Sequence, residues 1–142
     1  MPIAAATALV NFPVPQANVA AAGPRKLTGV WVNRAMQQLA LVYDDGDVTV
    51  VMSPAWYSDP KSEFSDFLSS NNATARLGSV NRNAALVISP HTDVKRSNPA
   101  WVEFDLNGVD VNVESATQGT AALLGVARSL ACATCAQAAR AS

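Results

Sequence analysis

Two cysteines, one histidine and a short run of aspartates are the side chains of this sequence best suited to chemistry. Cys132 and Cys135 form Cys-Ala-Thr-Cys, a spacing used for dithiol redox work or as half of a zinc site. Zinc needs further ligands, and His91 is the one histidine in the chain. A thioredoxin-like pair opens a helix after a strand, whereas this pair follows the end of a helical stretch. Ordinary helical geometry also suits a local disulfide poorly. Incidental thiols in an Ala-rich tail are the plainer reading. His91 lies in Ser89-Pro90-His91-Thr92-Asp93. Asp93 could orient its imidazole, and Ser89 or Ser97 could serve as nucleophile. A triad is defined by geometry rather than composition, however, and a lone loop histidine is more often plain surface. Asp44, Asp45 and Asp47 resemble a calcium loop in composition but lack its spacing and its late glutamate. Asn72-Ala73-Thr74 fits the glycosylation pattern, a frequent chance match. No catalytic residue, no metal site and no cofactor is therefore expected.

The aromatic residues offer binding rather than catalysis. Trp31, Trp56, Tyr57 and Trp101 could line an apolar pocket on the open face of a sheet, with Trp56-Tyr57 at its lip. The competing account is that they fill the core between sheet and helices. Trp56, Tyr57, Trp31 and His91 are the candidate ligand-binding residues.

These side chains must be positioned by strands. Trp101, Glu103 and Asp105 alternate with Val102, Phe104 and Leu106; beyond Asn107-Gly108, Val109, Val111 and Val113 alternate with Asp110, Asn112 and Glu114. Period two marks strands with one buried face. Asn-Gly suits a type I′ turn, which needs positive φ at both central residues, and so sets the register. A helix follows, with Ser115 or Thr117 as N-cap and Leu123, Leu124, Ala127 and Leu130 as one apolar stripe. It is expected to end near Leu130.

Upstream, strands are expected over 27–32, 38–43, 48–52, 75–80 and 84–89. Turns fall at 44–47, around Asp45-Gly46, and at Asn81-Arg82-Asn83. A short helix is expected over 60–70: Asp59 caps it, Pro60 takes its first position, and Phe64, Phe67 and Leu68 form its apolar face. Residues 90–100 read as a polar loop. The order is β-β-β-α-β-β-β-β-α, and tight turns between successive strands indicate an antiparallel sheet. The fold class is α+β, a curved sheet of six to seven strands with two helices.

At 142 residues the chain suits one domain. Residues 25–131 form it, 1–24 read as a flexible Ala/Pro arm or a degraded signal segment, and 132–142 as an Ala-rich tail. Hydrophobic residues make up 49% and charged residues 15%, against the roughly 25% charged that is typical. A net charge of −1 leaves no electrostatic footprint for nucleic acid. No apolar run is long enough to span a membrane. The apolar composition leaves room for a homo-oligomer.

The arrangement of Trp101, Gly108, Val109, Val113, Ser115, Leu123-Leu124 and Ala127-Arg128-Ser129-Leu130 resembles the C-terminal signature of a bacterial domain family of unknown function. That family occurs in lipoproteins and in the extracytoplasmic parts of anti-sigma-factor proteins, and is distantly similar to MucB- and LolA-type half-barrels. The resemblance covers residues 101–130 and brings no catalytic residues. It implies an extracytoplasmic, non-enzymatic sensing or binding domain, with a protein partner or an apolar small molecule as ligand. The alternatives are a small enzyme using the loop at 90–100 and a structural or oligomeric subunit.

Overall fold

The computed structural model describes residues 2–12, 14, 25–54, 64, 73–90, 100–106 and 108–141. Among them, seven strands form one curved, open, antiparallel sheet: β1 (Leu27–Asn33), β2 (Gln38–Tyr43), β3 (Val48–Pro54), β4 (Ala73–Val80), β5 (Asn83–Pro90), β6 (Ala100–Leu106) and β7 (Val109–Ser115). Helix α1 (Ile3–Thr7) precedes the strands and α2 (Thr120–Ala141) follows them. The order across the sheet is β1-β2-β3-β7-β6-β5-β4. Two meanders therefore meet along a seam, where β3 pairs with β7 in a register running from Thr49↔Glu114 to Pro54↔Val109.

The α+β class and the succession of strands agree with expectation. Of the helix expected over 60–70, Phe64 alone falls among the described residues, and it is helical. The strands run slightly longer than the alternation suggests. β3 includes Pro54, and the polar loop yields Pro90 to β5 and Ala100 to β6.

Alternation decides the core. Leu39, Leu41, Val48, Val50, Met52, Val87, Val102, Phe104, Val111 and Val113 are fully buried and belong to one cluster. Leu106 pairs with Val109 across the hairpin, and Gly108 stands at φ 83°. The three valines of β7 then share the face of Val102 and Phe104 as expected. The hairpin between β4 and β5 is equally tight, since Val80 pairs with Asn83. It places Asn81 and Arg82 at φ 44° and 78°, a left-handed backbone with no glycine to relieve it.

α2 packs on the half of the sheet formed by β4 to β7. Its buried stripe is Leu123, Leu124, Val126, Ala127, Ser129 and Leu130, wider than the four positions expected. Its ends differ from expectation too. The helix begins at Thr120, not directly after Ser115 or Thr117. The Ser115 hydroxyl instead accepts from the Thr117 and Gln118 N–H groups, at 3.1 and 2.8 Å, and shapes the turn into the helix. At the other end the helix passes Leu130 and continues to Ala141, taking in Cys132 and Cys135. The Ala-rich sequence of this last stretch favours helix on propensity alone.

The other half of the core face is covered from the N-terminus. α1 packs beside β1, Ala6 is fully buried, and Ile3, Val10, Phe12 and Val14 lie against the same cluster. The Asn11 N–H donates to Gln37 Oε1 at 2.8 Å, in the β1–β2 turn. This part of the expected 1–24 arm is thus packed.

Candidate binding face

The face of the sheet turned away from the core carries the site. Cross-strand register lays out two of its rows. One reads Trp31, Ala40, Val51, Asn112, Glu103, Leu86, Leu77; the next reads Gly29, Val42, Thr49, Glu114, Trp101, Ile88, Ala75. The two described tryptophans share this face, Trp31 on the edge strand β1 and Trp101 on β6. Leu86 and Ile88 are fully buried on it, whereas Trp31 is 69% exposed.

Around Trp31 the face is hollowed. A recess of about 160 Å³ is lined by Trp31, Val32, Asn33, Gln38, Leu39, Ala40 and Val51. Two small residues make it possible. Ala40 is the register partner of Trp31, so its methyl group leaves open floor where a larger side chain would stand. Gly29 lies two positions back on the same face. A Cβ there would approach Trp31 Nε1 to 3.2 Å, so the bare Cα lets the indole lie against the strand. The rim holds the amides of Asn33 and Gln38 beside an apolar floor, the mixture ordinary for a small-ligand site.

Polar groups stand further along the same face. The Asn112 Oδ1 is buried and accepts no hydrogen bond from the described residues. Glu114, opposite Thr49 and Trp101, is partly buried, and burial pushes its carboxyl above the usual glutamate range. The acidic turn has a different role. Asp44, Asp45 and Gly46 all have positive φ. Arg25 bridges Asp44 and Asp47 at 3.2 and 3.3 Å. Thr117 Oγ1 donates to Asp47 Oδ1, and Gln118 Nε2 to Asp47 Oδ2 at 2.9 Å. These carboxylates thus bind the start of β1 and the β7–α2 junction to the β2–β3 hairpin. Among the described residues no three His, Cys, Asp or Glu side chains group as metal ligands would.

Of the four expected ligand-binding residues, the structure sets Trp31 at the recess, while Trp56, Tyr57 and His91 lie outside the described residues. Trp101 shares the face but does not line the recess. Ala40, Val51, Asn33, Gln38 and Gly29 were not anticipated. Their signal is cross-strand register, which the link at 34–37 sets. No family model, no curated protein and no solved structure matches the chain. Among the described residues no helix is long and apolar enough to cross a membrane.

Proposed function

We propose that the chain is a non-enzymatic binding domain whose ligand presents a single apolar ring to the recess beside Trp31. The observation that carries this reading is the recess itself: an exposed tryptophan, an alanine floor and two rim amides around about 160 Å³. A cavity of about 150 Å³ holds benzene, and drug-sized ligands need about 300 Å³ or more. The size favours one aromatic ring over a lipid chain. The resemblance of residues 101–130 to extracytoplasmic sensing domains supports an interaction role of the same kind.

Indole titration followed by two-dimensional NMR tests the reading. The Trp31 indole N–H and the Ala40 and Val51 amides should shift together, and Ala40→Leu, which fills the floor, should remove the response while the fold persists. Shifts confined to other parts of the sheet, or unchanged in Ala40→Leu, would sink it.

A further inference from the structure

The recess opens beside a sheet edge, and the strand at that edge carries no guard in its own sequence. β1 pairs with β2 and with no other described strand. Sheet edges are usually protected by a lysine, a proline or an inward charge, because their free N–H and C=O groups otherwise recruit another chain. The opposite edge, β4, carries Arg76 within its length. β1, with the sequence LTGVWVN, carries no charge and no proline. A bulge lies between Leu27 and Gly29, which leaves Gly29–Asn33 as regular edge. Exposed cations flank the strand, Lys26 immediately before it and Arg34 immediately after. Neither makes an ion pair with a described residue; the bridges at this end of the sheet use Arg25.

We infer that the β1 edge takes up an extended acidic peptide as an eighth strand, its aromatic side chain seated in the Trp31 recess. This rests on the ring-binding reading and adds the class of ligand that bears the ring. In strand addition, main-chain hydrogen bonds supply affinity and a side-chain pocket supplies selection. Charge decides between an acidic peptide and a second copy of the chain. Two β1 edges paired antiparallel about Val30 would set Lys26 of each copy opposite Arg34 of the other, and like charges directly opposite destabilise a strand pair. Acidic residues at both ends of the incoming strand turn the same two cations into attractions. From Lys26 to Arg34 the strand spans roughly 25 Å, about eight extended residues.

Fluorescence anisotropy with a labelled eight-residue peptide tests this: glutamates at both ends, a central tyrosine, threonine and valine between. It should bind, and a lysine-ended version should bind about tenfold more weakly. The double variant Lys26→Glu, Arg34→Glu should reverse that preference. N-methylation of alternate backbone amides of the peptide should abolish binding with the side chains intact. Indole binding by NMR is measured in parallel on the same protein. If indole binds but glutamate-ended, lysine-ended and N-methylated peptides bind equally, the strand-addition inference is overturned and the ring-binding reading stands. If indole does not bind, the ring-binding reading fails, and this inference with it. Sedimentation that shows a dimer dissolved by N-methylated β1 peptide would overturn the acidic-peptide occupant in favour of a second copy.

Discussion

Replacing Arg82 with glycine is expected to stabilise the protein, and the size of the gain follows from the two hairpins at the same end of the sheet. Arg82 has φ 78° and Gly108 has φ 83°, each in a hairpin turn. A side-chain-bearing residue pays about 1–2 kcal/mol for left-handed backbone, and glycine does not. Glycine gives back about 0.5–1 kcal/mol through its freer unfolded chain. Arg82 is exposed and its side chain makes no described bond, so the substitution removes nothing else. The net is a gain of about 0.5–1 kcal/mol. Gly108→Ala is the mirror experiment: a Cβ at Gly108 meets nothing within 4 Å, so its cost is backbone alone. It should lose about 1 kcal/mol. Urea unfolding reads both, with midpoints moving in opposite directions and m unchanged. If Arg82→Gly proves no more stable than the parent while Gly108→Ala loses stability, the left-handed backbone of the Asn81-Arg82 turn is not a cost, and the reasoning fails.

Three further outcomes are expected. The hydroxyl of Thr117 foremost, and then Gln118 and Arg25 against some desolvation, hold the Asp47 carboxyl below its usual range. Its contribution is therefore complete above the unfolded aspartate value near 3.9 and is lost as pH falls through the lower folded value. Asp47→Asn should lower the urea midpoint at pH 7, by a margin that shrinks as the pH falls below the unfolded aspartate value. Glu114 behaves in the opposite sense. Burial raises its folded value, so the native state loses stability as pH rises through the window above the unfolded glutamate value; Glu114→Gln should unfold at higher urea than the parent at pH 7, with the gap closing at pH 4. Phe104→Ala empties a fully buried site between Ala85 and Val111, and should cost about 3–5 kcal/mol by the same assay.

The legible parts of this fold are those decided by neighbours in sequence. The valines at 109, 111 and 113 announce their face by alternation, and Asn107-Gly108 announces its turn by steric permission. The Asn81-Arg82 turn was legible as a break between two strands, although no glycine marks its left-handed backbone. What escaped depends on distant contacts. A five-residue Ala-rich helix has little stability alone, and α1 persists because Ala6 and Ile3 meet the core cluster. The acidic turn reads as a hairpin, but its partners Arg25, Thr117 and Gln118 come from two other parts of the chain. The binding face is the extreme case. Trp31 is conspicuous, yet the recess beside it is made by Ala40, Val51 and Gly29, unremarkable residues until register brings them together.

The seam between β3 and β7 sets the timetable of folding. Within each meander every strand pairs with its sequence neighbour, so these ladders close short loops early. The seam joins positions about 60 residues apart, and its closure costs the most chain entropy before any contact repays it. The pairing of β7 with β3 and the two Asp47 bonds to Thr117 and Gln118 thus belong to the last ordered part of the molecule. Weakening either outer hairpin should slow assembly, whereas weakening the seam should chiefly hasten unfolding. A nascent chain must hold its first meander open until the final hairpin arrives.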